Sequence, residues 1–217
     1  MLIHYASPVS LYCAKLRILL RHKQLEWQEV HPEGGYNAGS FRQLVPAGTM
    51  PAIVDGDMVL ADSEAIAEYI EETHPQPAML PCDVRARARS RERSRFHDTR
   101  LEPEVRKLFA HVGVARADSD IVRAQSTALN QRFAELSRLL GADATLDTGE
   151  LTLGDCGFPI CFAWIDAFTN AMGLALEWPQ NLCDYRAQIE TLAAVREELT
   201  AYAPAMDAWL KSKLDPG

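Results

Sequence analysis

The sequence predicts a mixed α/β domain followed by an all-helical domain, and three observations lead to this prediction. Strand and helix patterns alternate over the first 80 residues. Beyond them, apolar side chains recur with helical spacing only. A proline-rich break at residues 74–77 separates the two parts. We therefore expect a first domain over residues 1–78, a linker over 79–83 and a helical domain over 84–217.

The first part follows the order β-α-β-α-β-β-α. Its last two strands are expected to form a hairpin, because two apolar runs flank an Asp-Gly turn at Asp55 and Gly56. Strands with interposed helices predict a mixed four-stranded sheet with helices packed on it. The predicted strands are 2–5, 25–30, 51–54 and 58–60, and the predicted helices are 11–23, 40–44 and 63–73.

The second part shows helical spacing and no strand pattern, which predicts an all-helical bundle. Trp164 and Phe168 are expected in its core. The predicted helices are 85–112, 118–140, 155–172, 185–201 and 204–214.

Composition and charge narrow the class of protein. The 217 residues are 47% hydrophobic and 24% charged, which excludes collagen-like, disordered and coiled-coil chains. The 30 acidic and 22 basic residues give a net charge of −8, whereas a general nucleic-acid binder is usually basic. No stretch approaches the roughly 20 apolar residues of a membrane helix, and the first residues lack the signal-peptide pattern.

The number and spacing of the cysteines indicate the cellular compartment of the protein. Five scattered cysteines favour reduced thiols and a cytoplasmic protein, because secreted scaffolds carry dense and even cysteine sets. Cys156 and Cys161 have no neighbouring pair of ligands, so we expect no metal site.

The start of the first helix carries the first candidate site. Unpaired N–H groups and the positive dipole end of a helix start favour an anion or a thiolate. Ser10 is placed to cap this helix with its hydroxyl, and Cys13 follows one turn later. In the simpler alternative, Ser10 is only a helix cap and Cys13 is a small buried apolar residue.

Two further motifs lie before and after the predicted hairpin. Pro51 heads a strand after a glycine-containing loop, which favours a cis Met50–Pro51 bond. Asp62 and Ser63 open a helix, where they can hold a carboxylate or simply cap the helix.

These motifs, in this order and spacing, resemble the glutathione transferase superfamily over nearly the whole chain. A fourth motif agrees, since Thr152-Leu153-Gly154-Asp155 matches the family's capping box before an apolar helix. The resemblance implies a thioredoxin-like first domain that binds glutathione as co-substrate and a helical second domain that covers the second substrate. It also implies a homodimer.

The resemblance assigns roles by position. Asp62 and Ser63 match the acidic residue and the serine that hold the γ-glutamyl end of glutathione. Met50, before Pro51, matches the residue whose backbone pairs with the cysteinyl part. Ser10 matches the serine that activates the nucleophile in zeta-like classes, a position that holds the active-site cysteine in omega-like and glutaredoxin-like members. A two-thiol cycle would therefore lack its attacking cysteine here.

Two alternatives to Ser10 stay open. Tyr5 ends the first strand, where other classes of the family place a catalytic tyrosine, although it is one residue off their spacing. Cys13 would serve a thiol-disulfide reductase.

Lowering a thiol pKa by about 2 units takes roughly 2.7 kcal/mol. A hydroxyl that donates to a thiolate contributes about 1.5–3 kcal/mol and a helix start about 0.3–1 kcal/mol, so one serine is sufficient.

An arginine run opens the second part of the chain. Residues 84–100 contain seven arginines and only two acidic side chains. We expect these arginines to pair with acidic residues across a homodimer interface or to line the substrate cleft, with nucleic-acid binding as the lesser alternative. On the helix that flanks the cleft in the resembled family, His97, Arg100 and Glu104 are candidates for contacting the second substrate.

The sequence therefore predicts a glutathione transferase-like enzyme, in which Ser10 stabilises the glutathione thiolate as it attacks an electrophilic carbon. The arginines favour an anionic second substrate, which the sequence does not name. An isomerase, a dehalogenase or a thiol reductase stays an alternative, as does a non-catalytic binding or regulatory protein of the same family.

Overall fold

A four-stranded mixed sheet forms the centre of the first half of the molecule. The computed structural model describes residues 1–113, 119–141 and 150–214. β1 runs parallel to β2 and antiparallel to β3, and β3 and β4 form the predicted hairpin. The strands are β1 (Leu2–Tyr5), β2 (Trp27–Val30), β3 (Ala52–Asp55) and β4 (Met58–Ala61), in the spatial order β2-β1-β3-β4.

Helices accompany this sheet and then replace it. Those of the sheet-containing half are α1 (Leu11–His22), α2 (Gly39–Leu44) and α3 (Ser63–Thr73). Those of the helical half are α4 (Val84–Phe96), α5 (Glu102–Leu108), α6 (Ser119–Leu140), α7 (Phe158–Met172), α8 (Gln180–Glu190) and α9 (Ala193–Leu214). The predicted fold class, a thioredoxin-like part followed by an all-helical part, is confirmed. The domain boundaries at residues 78 and 84 stay a prediction.

The long helix predicted over residues 85–112 is wrong as a continuous element. A π-helical turn, His97–Leu101, separates α4 from α5. Pro103 stands in the first turn of α5. Because proline lacks an amide proton and its ring collides with the carbonyl four residues earlier, the regular hydrogen-bond pattern cannot continue through it.

The last two predicted helices are also wrong in their boundaries. The structure has α8 over Gln180–Glu190 and a single α9 over Ala193–Leu214, with Pro204 inside it. Tyr202 is buried and Trp209 packs on the core, so apolar contacts hold α9 on both sides of the proline. This packing outweighs the roughly 3 kcal/mol that an interior proline costs a helix. The predicted start of the earlier helix at Asp118 lies outside the described residues.

The main apolar core joins the two halves through α1. Leu16 and Leu19 of α1 are buried in one cluster with Ile66 of α3, and Trp164 and Phe168 of α7 are fully buried in the same cluster, as predicted. α1 contacts α3, α7 and α9. The first helix is thus covered by both halves, and its N-terminus lies where they meet.

A hydrogen-bonded chain reinforces this junction. The Trp164 indole donates to the Tyr202 hydroxyl at 2.8 Å, and that hydroxyl donates to the Val9 carbonyl oxygen at 2.7 Å, just before α1. Arg17 of α1 donates to the buried Glu198 of α9 at 2.6 Å. None of the described helices is long and apolar enough to cross a membrane.

Candidate functional site

A cavity of about 310 Å³ opens between the two halves. Its lining comes from the first turn of α1, the segment before β3, the start of α3, the end of α4 and the π-helical turn after it. The lining residues are Tyr12, Thr49, Met50, Pro51, Asp62, Ser63, Arg95 and Asp98. Sequence reasoning named four of them: Met50, Pro51, Asp62 and Ser63.

The peptide bond between Met50 and Pro51 is cis, as predicted. The loop before it depends on a glycine: Gly48 has a φ of +63°, and a Cβ there would lie 2.7 Å from the Tyr36 carbonyl oxygen. The Met50 side chain is buried in an apolar cluster with Phe41. The backbone of Met50 is therefore the polar part of this residue that can serve the cavity.

Asp62 begins α3 from a strained backbone conformation. Its φ is +83°, which is rare for a residue with a Cβ and costs on the order of 1–3 kcal/mol. The Asp62 Oδ1 accepts the backbone N–H groups of Glu64 at 3.0 Å and Ala65 at 3.1 Å, so the carboxylate caps the helix. Strain of this kind is concentrated at ligand-binding positions. Asp62 is thus both a helix cap and part of the cavity wall.

Ser10 caps α1, as the sequence predicts. Its Oγ accepts the backbone N–H of Cys13 at 3.3 Å, and Ser10 itself is 9% exposed. This bond uses a lone pair of the oxygen, so the hydroxyl can still donate its own proton. Tyr12, two residues further on, lines the cavity.

The two alternatives to Ser10 lie in apolar surroundings. Cys13 is fully buried, and burial raises the pKa of its thiol although a hydrogen bond with Ser10 opposes the change. A raised pKa disfavours the reactive thiolate. Tyr5 is half-buried, and its ring lies against Phe41 with 5.5 Å between ring centroids. Cys13 belongs to the apolar cluster that also contains Met50, and Tyr5 packs against that cluster.

Tyr12 is a cavity residue that sequence reasoning missed. Its hydroxyl donates to Glu102 Oε2 at 2.9 Å and lies 3.1 Å from the Asp98 carbonyl oxygen. Burial and the Glu102 charge raise the pKa of Tyr12 well above its ordinary value, so the phenol stays protonated. The guanidinium of Arg106 lies over the Tyr12 ring at 5.6 Å. The available signal was an aromatic residue in the first turn of α1, two residues after Ser10.

The three residues predicted to contact the second substrate lie apart from one another. His97 is fully buried, with Nδ1 2.8 Å from Asp98 Oδ1, and a Cβ on Gly157 would lie 2.4 Å from its ring. Arg100 lines a different groove, between α4 and α6. Glu104 accepts from Lys107 at 2.6 Å. The structure does not bring these three side chains together at the cavity, and their role stays a prediction.

Several arginines of α4 pair with acidic side chains of the same chain. Arg91 forms two hydrogen bonds with Glu68 of α3, at 2.6 and 2.8 Å. Arg93 is buried with its Nε 3.5 Å from Asp155. Arg95 has a side chain that is 53% exposed, lies 3.6 Å from Asp98 and lines the cavity. One arginine of the run therefore lines this cavity, and the expected role of the run at a substrate cleft or a homodimer interface stays a prediction.

The predicted capping box forms. The Thr152 N–H and hydroxyl donate to Asp155 Oδ2 at 2.9 and 2.6 Å. The Tyr185 hydroxyl donates to the other oxygen of this carboxylate at 2.7 Å. The box lies in the turn before α7, which begins at Phe158 rather than at Asp155 as predicted. Within residues 1–113, 119–141 and 150–214, no group of three or more His, Cys, Asp or Glu side chains is placed to hold a metal ion.

The known proteins that resemble this chain in sequence and in fold include glutathione transferases. Residues 5–78 match the family model described as the N-terminal domain of glutathione S-transferase. The chain is 28% identical over 162 residues to glutathione S-transferase Z2 of Arabidopsis thaliana, which covers 70% of this chain and 71% of that protein. It is 27% identical over 158 residues to a stringent starvation protein A homolog of Coxiella burnetii, with 70% of each chain covered.

Solved structures show the same fold. A glutathione S-transferase from Rhodospirillum rubrum superposes with a TM-score of 0.74 at 24% identity, covering 92% of each chain. A delta-class glutathione transferase from Nilaparvata lugens superposes with a TM-score of 0.81 at 19% identity, covering 98% of this chain and all of the other.

Proposed function

We propose that this chain, which belongs to the glutathione transferase superfamily, binds glutathione in the cavity beside the cis Met50–Pro51 bond and joins it to a small electrophile. One observation carries the proposal: three separate segments, two of them with an unusual backbone conformation, converge on one cavity. These are the cis bond, the start of α3 at Asp62 with its positive φ, and the first turn of α1.

Two parts of the cavity lining suit two parts of glutathione. Asp62 and Ser63 supply a carboxylate, a hydroxyl and the N-terminus of α3, which match the ammonium and carboxylate of a γ-glutamyl group. The Met50 backbone can pair with the cysteinyl part as an added strand would. Arg95 supplies a cation for an anionic group of glutathione or of the second substrate.

The chemistry requires a thiolate, and Ser10 is the proposed group that stabilises it. The thiol of glutathione gives up its proton to solvent, and the Ser10 hydroxyl donates to the resulting sulfur anion at the N-terminus of α1. The sulfur electron pair then forms a bond to an electrophilic carbon. The leaving group departs with its own electron pair, or an activated double bond takes up a proton on the neighbouring carbon.

Binding to immobilised glutathione, followed by titration calorimetry, tests the proposal. We expect the wild type to be retained and to be eluted by free glutathione. The variant Asp62→Ala should bind more weakly, because it loses a cavity carboxylate. A wild-type protein that flows through and shows no heat of binding would refute the proposed function.

A non-catalytic role in the same family is the second candidate. The observation that favours it is the similarity to the stringent starvation protein A homolog, which covers as much of this chain as the similarity to the transferase. Turnover with a chlorodinitrobenzene or another electrophile separates the two, since a binding protein would retain glutathione without forming a thioether. Isomerase and dehalogenase substrates extend this assay to the other catalytic variants.

We also infer that the protein works as a cytoplasmic homodimer. The exposed arginines of α4, including Arg85 and Arg89, provide a charged face that suits a second copy of this acidic chain. Sedimentation equilibrium in low and high salt tests the dimer. A monomer at all concentrations in low salt would contradict it.

A further inference from the structure

A lysine lies buried beneath the cavity. Lys15, in the second turn of α1, is only 2% exposed. Lysine side chains are almost never fully buried unless they are paired. The proposed chemistry of the site uses Ser10 and the first turn of this helix and gives Lys15 no role.

Side chains from α3, from α4 and from the π-helical turn after α4 surround the Lys15 ammonium group. Its Nζ donates to Glu64 Oε2 at 2.7 Å and to Asp98 at 2.9 and 3.1 Å. It also donates to Ser94 Oγ at 3.0 Å. The Ser94 hydroxyl in turn donates to Glu64 Oε2 at 2.6 Å. The ammonium therefore joins α1 to the first turn of α3, to the end of α4 and to the π-helical turn that follows it.

These partners are the cavity wall or its immediate neighbours. Asp98 lines the cavity itself, and Glu64 directly follows Ser63, which also lines it. Tyr12 lies three residues before Lys15 on α1, so the two side chains project from neighbouring positions of one helix face. Every element that Lys15 joins thus contributes a residue to the cavity.

The opposite charges of Lys15 and its two carboxylate partners stabilise one another in this cluster. Burial alone would lower the pKa of Lys15, but the carboxylates of Asp98 and Glu64 outweigh it and raise the pKa. Burial alone would raise the pKa of Asp98, but His97 and Lys15 outweigh it and lower the pKa. Without the ammonium, the carboxylates of Glu64 and Asp98 would repel each other across the base of the cavity.

We propose that Lys15 is a positioning residue, which fixes the start of α3 and the end of α4 around the cavity in the geometry that binds glutathione. The proposal rests on the proposed function for its ligand. Its structural part concerns only how the free protein holds residues 62–66 and 94–101.

A second buried lysine provides a matched control. Lys23, directly after α1, is also buried and pairs with a glutamate of α3, Glu71. Its other partners are the carbonyl oxygens of His74 and Pro77, at 2.7 and 2.6 Å, away from the cavity. Lys15→Met and Lys23→Met therefore make the same chemical change at two ends of one helix.

The test combines glutathione affinity with amide hydrogen exchange in the free protein. We expect Lys15→Met to raise the Kd for glutathione roughly tenfold. It should also speed exchange in residues 62–66 and 94–101. Lys23→Met should leave the Kd within about twofold of wild type and speed exchange in residues 74–80 instead. Lys15→Arg, which keeps the charge, should recover part of the affinity.

The outcomes decide the proposal in each case. Equal losses of affinity in the two methionine variants, or wild-type exchange at residues 62–66 in Lys15→Met, would overturn it. If Lys15→Met does not fold, Glu64→Gln removes one partner without changing size and should give the same pattern more weakly. If the wild type binds no glutathione, the proposed function fails, and the exchange pattern alone supports or refutes the positioning role.

Discussion

The two ends of the contact between α1 and α3 use the same pair of residue types for different purposes. Lys15 pairs with Glu64 at the cavity end, and Lys23 pairs with Glu71 at the other end. The lysines are eight residues apart and the glutamates seven, so each set repeats on one helical face after about two turns. The difference lies in which atoms complete each cluster.

Backbone atoms complete the cluster at Lys23. The ammonium donates to two carbonyl oxygens after α3, and Glu71 accepts the N–H groups of Met79 and Leu80 at 2.9 and 3.0 Å. Such a cluster fixes the path of the chain between the halves. It presents no side chain to a ligand.

Side chains complete the cluster at Lys15. Glu64, Ser94 and Asp98 share the ammonium, and they come from elements that are distant in sequence. A side-chain cluster can be displaced without breaking the backbone hydrogen bonds of any helix, so it can govern the shape of a neighbouring cavity. Burial and pairing alone therefore do not distinguish a structural lysine from one that positions a binding site.

The largest expected effect is on stability at the Lys23 end. Lys23→Met leaves Glu71 without its buried cation, and breaking a buried pair in this way costs about 3–5 kcal/mol. We expect the free energy of unfolding in urea to fall by this amount while glutathione affinity stays at the wild-type value. If the free energy of unfolding fell by less than about 1 kcal/mol, the backbone N–H groups of Met79 and Leu80 would be enough to stabilise the buried Glu71 carboxylate. The Lys23 and Lys15 clusters could then no longer be compared as buried ion pairs.

The next effect concerns Asp98 and depends on pH. Replacing it by asparagine weakens hydrogen bonds to Lys15 and His97, each worth about 1.5–3 kcal/mol when one partner is charged. Because the fold lowers the pKa of Asp98 below its ordinary value of 3.8, its contribution is fully present above that pH. It is lost as the pH falls through the lowered folded-state value. Urea unfolding of wild type and Asp98→Asn from neutral to acid pH checks this.

The stability difference between these two proteins should therefore be largest near neutral pH and should shrink below about pH 4. Glu64→Gln is the control for Asp98→Asn, because it removes the other carboxylate that Lys15 contacts. A difference that grows toward acid pH would contradict the direction of the pKa shift.

Ser10 gives a smaller effect on stability and a separate one on chemistry. Ser10→Ala removes the cap of α1, which costs about 1 kcal/mol of unfolding free energy. It also removes the proposed donor to the thiolate, so the pKa of bound glutathione should rise by about 1–2 units. The ultraviolet absorbance of the thiolate against pH measures this rise. Cys13→Ser and Tyr5→Phe are the comparison variants, and loss of activity in Cys13→Ser with retention in Ser10→Ala would overturn the assignment.

Much of the fold and part of the site could be predicted from the sequence because their signals are local. The cis bond at Met50–Pro51, the caps at Ser10 and Asp62 and the capping box at Thr152 each depend on a few adjacent residues. The mixed sheet with helices packed on it also follows from local alternation of strand and helix patterns.

The remainder of the site depends on contacts between distant segments. Lys15 stands among the buried residues of α1, and its partner Asp98 lies 83 residues away. Arg95 lies at the end of α4, and Asp98 lies in the π-helical turn before Pro103, which the periodicity did not reveal. Pro204 shows the converse, because tertiary packing keeps α9 intact where the local signal predicted a break.

The smallest expected effect on stability is that of a third ion pair on α3, formed by Glu68. This residue lies between Glu64 and Glu71 in the sequence. Arg91 donates to both oxygens of Glu68, with the same pairing of charges as at Lys15 and Lys23, but its side chain is 43% exposed. Water and salt screen an exposed pair, so Arg91→Ala should cost only about 0.2–1 kcal/mol, and less in high salt. Urea unfolding at two salt concentrations measures it. A loss comparable to that of Lys23→Met would mean that burial does not set the energy of these pairs, and the contrast between the two ends of α1 would then need another cause.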